Sequence, residues 1–193
     1  MNEQEQAWAS EFGDAYTLRN RVNWLTRVPF WTEIIALTGA DSVLEVGCNF
    51  GANLLALRTV KPSMNLLGLD VNESALKEAG RLGLQHILGR VQDRTNTPAF
   101  DLVFTCGMLI HVPPTDLGST MTEIVNLSRR WVLAVEYLAK TEEEVEYRGK
   151  SGLLWKRPFG EMYEALGLKI VMERVAGKDD GFDNCNAWLM EKP

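Results

Sequence analysis

Val43-Leu44-Glu45-Val46-Gly47-Cys48-Asn49-Phe50-Gly51 constrains the fold more than any other stretch of the chain. A short apolar strand ends near a carboxylate and runs into a tight turn of small residues, which then opens a helix over 52–59. Nineteen residues beyond Gly51, a second apolar run, Leu66-Leu67-Gly68-Leu69, ends in Asp70. Strand, glycine turn, helix, strand and acid is the layout of a nucleotide-binding βαβ unit. Parallel strands need a crossover, so this unit points to an α/β sheet.

The flanking sequence extends the same alternation. Residues 3–28 read as one helical region, and Pro29 suits the first turn of a second helix that runs through Leu37 and is capped by Gly39. Strands are expected at 42–46, 65–70, 84–88, 100–105 and 131–135, with helices at 73–81 and 114–127 between them. Leu102-Val103-Phe104 and Trp131-Val132-Leu133-Ala134-Val135 are continuously apolar, as in strands covered on both faces. After helix 159–166, strands 168–174 and 185–190 lie too close for a helical crossover and predict an antiparallel edge hairpin. The expected domain is single: cap helices over 1–40, a cofactor core over 41–135, a substrate-side segment over 136–158 and a closing helix and strands over 159–193. The irregular, charged and aromatic segment 136–158 has the length of a functional loop.

Composition narrows the partners. A net charge of -6 argues against extended nucleic-acid binding, which needs many phosphate contacts. No apolar run is long enough to span a bilayer, and the start, Met1-Asn2-Glu3-Gln4-Glu5-Gln6, is too acidic and polar for a signal peptide. Cys48, Cys106 and Cys185 lack metal-ligand spacing and read as reduced thiols in a cytoplasmic protein, with no metal expected. Oligomeric state is left open.

Gly47-x-x-x-Gly51 fails the G-x-G-x-x-G test for a dinucleotide, because Asn49 stands where a middle glycine would be. With Glu45 before it and Asp70 after it, the turn instead resembles the first motif of class I S-adenosylmethionine-dependent methyltransferases. Asn tolerates left-handed backbone angles, so the turn survives the change. Phe100-Asp101-Leu102-Val103-Phe104 resembles that family's fourth strand. The resemblance implies a Rossmann-like class I methyltransferase fold: a mostly parallel seven-stranded sheet with an antiparallel edge hairpin and N-terminal cap helices. It implies S-adenosylmethionine as methyl donor, held by Tyr16, Arg19, Glu45, Gly47, Cys48, Asn49, Gly51, Asn53, Asp70, Val71, Val91, Gln92, Cys106 and Gly107. Asp70 would take the ribose hydroxyls and Glu45 the amino-acid end. In Gly89-Arg90-Val91-Gln92-Asp93, Arg90 replaces the family's adenine-contacting acid, so Val91, Gln92 or Asp93 would have to substitute.

Outside the core, three segments resemble the methylases associated with pseudaminic acid biosynthesis: Tyr16-Thr17-Leu18-Arg19-Asn20, Leu109-Ile110-His111-Val112-Pro113-Pro114, and Glu136-Tyr137 with Tyr147-Arg148-Gly149 and Trp155-Lys156-Arg157. On this reading a hydroxyl or amine acceptor gives its proton to His111, whose ordinary pKa lies near neutrality, or to Glu136. Asn20, Tyr147, Arg148 and Lys156 would contact the acceptor, and Arg19 a carboxylate. The acceptor is a small polar metabolite, a sugar or nucleotide-sugar being the favoured class. The alternatives are methylation of a nucleotide or nucleic-acid base, and a binding module without turnover. His86, inside a short strand, reads as structural, and Glu142-Glu143-Glu144 as a solvated face.

Overall fold

The computed structural model describes residues 3–94 and 99–193. Met1 and Asn2 of the acidic N-terminal stretch lie outside these described residues.

The N-terminal region departs from the single helix expected over 3–28. It forms α1 (Glu3–Trp8), α2 (Glu11–Arg19) and a 3-10 turn over Trp24–Arg27. Side chains that compete with the backbone make each break. Ser10 Oγ donates to the Ala7 carbonyl at 2.8 Å, Asn20 Nδ2 donates to the Tyr16 carbonyl at 2.9 Å, and Asn23 Oδ1 accepts the Leu25 N–H at 3.2 Å. Helix α3 (Val28–Thr38) carries Pro29 in its first turn and stops at Gly39, whose φ of 64° only glycine adopts freely.

The βαβ unit follows as the sequence predicts: β1 (Ser42–Val46), α4 (Ala52–Val60) and β2 (Asn65–Asp70). Then come α5 (Glu73–Arg81), β3 (Gln85–Leu88), β4 (Phe100–Cys106), α6 (Pro114–Leu127) and β5 (Ser128–Glu136). The segment after β5 holds a two-stranded ribbon, β6 (Glu143–Glu144) with β7 (Trp155–Lys156), in a region expected to be irregular. Helix α7 (Phe159–Ala165), β8 (Lys169–Ala176) and β9 (Cys185–Glu191) close the chain.

The seven-stranded sheet has the order β3-β2-β1-β4-β5-β9-β8. β9 runs antiparallel to both β5 and β8, and the other pairings are parallel. Alternate residues of each central strand enter opposite cores. Leu102 and Phe104 of β4 join Trp31, Ile34, Leu54 and Leu57 under α3 and α4. Val103 joins Met121, Ile124, Phe159 and Tyr163 under α6 and α7. Both faces are therefore dry, which is why these strands read as unbroken apolar runs.

Two consequences position the site. The chain order reverses between β1 and β4, which places a crevice beyond their carboxyl ends. One side chain also ties the N-terminal cap to the rim of that crevice. Asn72 caps α5 by accepting the Ala75 N–H at 2.7 Å, and its Nδ2 donates to the Trp8 carbonyl at 3.0 Å and to Asp14 at 2.9 Å.

Candidate active site

A cavity of about 530 Å³ opens where the strand order reverses. Its first wall is the turn after β1. Gly47 has φ 77°, and a Cβ there would collide with the Met108 side chain. Asn49 takes the left-handed conformation expected of it, with φ 52°. All five N–H groups of the turn are engaged within the protein. Gly47 and Cys48 donate to the Leu69 carbonyl at 2.7 and 3.0 Å, and Gly51 to the Cys48 carbonyl at 2.9 Å. Asn49 donates to Asp70 Oδ2 at 2.7 Å, and Phe50 to Asn49 Oδ1 at 2.8 Å. The turn therefore offers no free donor cradle to a phosphate, the feature that dinucleotide turns rely on.

Asp70 also accepts the Asn72 N–H at 2.8 Å. Burial raises its pKa, and these backbone donors oppose the rise. Glu45 is 2% exposed. Its Oε1 accepts from Asn53 Nδ2 at 2.6 Å, while Oε2 is buried with no hydrogen-bond partner among the described residues. Burial pushes the Glu45 carboxyl up to about 8, against the pull of Asn53 and Arg27. Asn53 Oδ1 in turn accepts from Arg27 Nη1 at 2.8 Å, and the Arg27 guanidinium lies 4.4 Å from the centre of the Phe182 ring. A buried carboxylate oxygen without a donor beside a guanidinium suits a zwitterionic amino-acid group, so these residues fit the methionine end of S-adenosylmethionine.

The second wall carries His111, Trp8 and Tyr16. The Trp8 and His111 ring centroids lie 4.3 Å apart, and those of Trp8 and Tyr16 lie 5.2 Å apart. His111 Nδ1 stands 2.7 Å from the Leu153 carbonyl, which can only accept, so Nδ1 carries the proton and Nε2 keeps its lone pair. Burial lowers the His111 pKa to about 4, holding the ring neutral. Burial also raises the Tyr16 pKa, keeping the phenol protonated.

Most residues singled out from sequence line this one cavity: Tyr16, Asn20, Glu45, Gly47, Cys48, Asn49, Asn53, Asp70, Val71, Val91, Gln92, Cys106, Gly107 and His111. Several do not. Arg19 is exposed on α2, away from the lining, and Arg27 supplies the cavity's cation near Glu45 instead. Gly51 stands outside the lining, where a Cβ would collide with the Leu84 side chain. Tyr147 packs edge-on to Phe12 and 5.7 Å from His111, backing the second wall rather than facing the cavity. Arg148 and Lys156 also stand outside the lining, beside Tyr147 and Tyr137 respectively.

Glu136 requires a correction as a candidate base. It is fully buried and outside the lining, and its carboxylate accepts the N–H groups of Met108 and Leu109 at 3.1 Å and of Ile110 at 3.4 Å. At the turn after β3, Arg90 pairs with Asp93 at 2.9 Å and with Glu5 of the cap at 3.5 Å, and Arg90, Val91 and Gln92 all line the cavity. The run expected to be solvated is exposed, yet Glu142 reaches Arg157 at 2.7 Å and Glu144 accepts the Gly152 N–H at 2.6 Å. Arg27 was not legible as a site residue, because a 3-10 turn gives no periodic signal. The nearest sequence signal was its place between two aromatic helices.

Comparison with known proteins agrees with this layout. Residues 43–130 match a family described as a methyltransferase domain. A tRNA (guanine-N(7)-)-methyltransferase of Synechococcus elongatus is 28% identical over 85 residues, 44% of this chain and 40% of that protein. The chain thus spans less than half the length of that curated relative. Among solved structures, Burkholderia thailandensis 1,6-didemethyltoxoflavin-N1-methyltransferase, with 1,6-didemethyltoxoflavin and S-adenosylhomocysteine bound, superposes with a TM-score of 0.76. It is 15% identical, with 97% of this chain and 86% of that chain covered. Magnesium protoporphyrin IX methyltransferase from Synechocystis, with bound S-adenosylhomocysteine, gives 0.73 at 12% identity and 98% coverage of both chains. Residues 43–130 thus resemble a methyltransferase domain, and the chain adopts the Rossmann-like class I methyltransferase fold, with a cavity whose residues fit S-adenosylmethionine.

Proposed function

We propose that this chain transfers the methyl group of S-adenosylmethionine to a hydroxyl or amine of a small polar metabolite, with a sugar or nucleotide-sugar as the favoured class. One observation carries the reading: a single cavity is lined both by a buried carboxyl oxygen of Glu45 with no hydrogen-bond partner among the described residues and by a neutral imidazole at His111. The sulfonium supplies an electrophilic methyl group with a good leaving group. The protein's part is placement and proton removal. Asp70 would accept the ribose hydroxyls, Glu45 the ammonium, and Arg27 would pair with the carboxylate. His111 Nε2 would take the acceptor's proton as the methyl group passes from sulfur to the acceptor. The Leu153 carbonyl then stabilises the imidazolium through Nδ1–H. Trp8, Tyr16 and Met108 exclude water from the reacting atoms.

The sugar class rests on the resemblance of the segments around Tyr16, His111 and Tyr147 to the pseudaminic acid-associated methylases. The 1,6-didemethyltoxoflavin bound in the Burkholderia thailandensis structure supports a small acceptor more generally. Three free cysteines suit a reducing, cytoplasmic setting, and among the described residues no helix is long and apolar enough to cross a membrane. The tRNA-modifying relative favours a second reading, a nucleic-acid base as acceptor, which the net charge of -6 opposes. Acceptor-dependent formation of S-adenosylhomocysteine from a panel of sugars and nucleotide-sugars tests the proposal. Turnover confined to RNA, with salt-sensitive binding, selects the second reading. Cofactor affinity without transfer to any acceptor indicates a binding module.

A further inference from the structure

The turn that presents His111 is gripped from two sides by buried charges that never reach the cavity. From below, Glu136 at the end of β5 accepts three successive N–H groups, those of Met108, Leu109 and Ile110. From the other side, Arg157 just after β7 donates through Nη1 to the Leu109 carbonyl at 3.2 Å. Arg157 is 1% exposed and is itself held by Glu142 at 2.7 Å. His111 closes the loop by donating to Leu153, in the segment between β6 and β7. Leu109 is thus fixed by its N–H to one charge and by its carbonyl to the opposite charge, two residues before the imidazole. Bonds to a charged partner are the stronger kind, and both lie in a dry interior. A packed aliphatic pair would hold a turn without the cost of burying two charges, so their presence calls for an explanation other than stability.

We propose that Glu136 and Arg157 are positioning residues that set the direction of His111 Nε2 and thereby place the acceptor's nucleophile. The proposal rests on the reading of His111 as the proton acceptor, and deepens it. The grip is also pH-dependent. Burial pushes the Glu136 carboxyl up to about 7, against the pull of the Leu109, Met108 and Ile110 N–H groups. The other groups whose charge it feels are Arg157, Tyr16, Tyr163, Cys106 and Cys185. Burial raises the tyrosines and cysteines, so Glu136 is the member that ionises near neutrality. A protonated Glu136 has fewer lone pairs for three donors, and the turn loosens below pH 7.

The chain's two histidines, His86 and His111, make this directly observable by ring-nitrogen NMR. In the unmodified protein with S-adenosylhomocysteine, the His111 ring shifts should show an inflection near pH 7, well above the ring's own titration. In Glu136→Gln and Arg157→Lys the Nδ1–H tautomer population should fall, and kcat should drop by about 100-fold. The Kd for S-adenosylhomocysteine should stay within about twofold, because neither residue lines the cavity. The acid limb of kcat near pH 7 should vanish in Glu136→Gln. A folded variant with unchanged His111 shifts and unchanged kcat overturns the proposal. Should neither variant fold, a flat wild-type His111 profile between pH 6 and 8 overturns it alone. The NMR arms need no acceptor, so a chain that proves catalytically silent fails the functional reading without deciding this one.

Discussion

Glu45, the turn through Gly51 and Asp70 form one wall of the cavity, and α1, α2 and the turn through His111 form the other. The first wall comes from residues within one βαβ unit, and backbone geometry shapes it: two glycines and one asparagine with positive φ, and five N–H groups spent on internal acceptors. The second wall is assembled from three separated stretches of chain. It is made of side chains: Trp8 and Tyr16 from the cap, His111 after β4, and Tyr147 backing them from the segment beyond β5. A ligand common to many enzymes can be met by backbone, which few substitutions alter. A ligand particular to one enzyme needs side chains, which can vary without disturbing the sheet.

Substitutions should separate the walls. Asp70→Ala should weaken S-adenosylhomocysteine binding by about 1,000-fold in calorimetry, since it removes the proposed charge-assisted bonds to the ribose and orphans the Asn49 and Asn72 N–H groups. Normal affinity in that variant would collapse the distinction between the walls. His111→Ala should leave cofactor affinity intact and lower kcat by about 100-fold. Weakened cofactor binding there would mean that the second wall also serves the donor. Arg27→Ala should loosen the cofactor by roughly tenfold, whereas Arg19→Ala, on the exposed face of α2, should change it by less than about twofold.

The smallest effect is the most diagnostic for Glu45. Burial pushes its carboxyl up to about 8, toward the protonated form, and it must ionise to meet an ammonium group. Cofactor binding at pH 7 should therefore release protons, read from the dependence of binding enthalpy on buffer ionisation. The sign follows from a pKa raised in the empty cavity and lowered by the bound cation. Zero release, or uptake, would remove Glu45 from the ammonium's side.

The two walls also differ in how far the sequence revealed them. Strands 42–46 and 65–70 and helices 73–81 and 114–127 have the bounds that their patterns predicted, because period and caps are local properties. The left-handed Asn49 was legible for the same reason. Glu136 was legible as a strand-tip acid but not in its role, since its partners are backbone N–H groups 26 to 28 residues upstream. No residue type marks a backbone donor. The break at Ser10 was missed because an amphipathic pattern persists across it, with Phe12 and Tyr16 both packed edge-on to Trp8.

Asn72 bears on the order of events in a catalytic cycle. Its N–H leans on Asp70, its oxygen starts α5, and its nitrogen carries Trp8 and Asp14 of the cap. Whatever steadies Asp70 steadies the floor on which the aromatic wall stands. On the proposed function, donor arrival would then prepare the seat for the acceptor, and the spent donor would depart last. Steady-state kinetics should show compulsory-order addition, with S-adenosylhomocysteine competing against the donor and not against the acceptor.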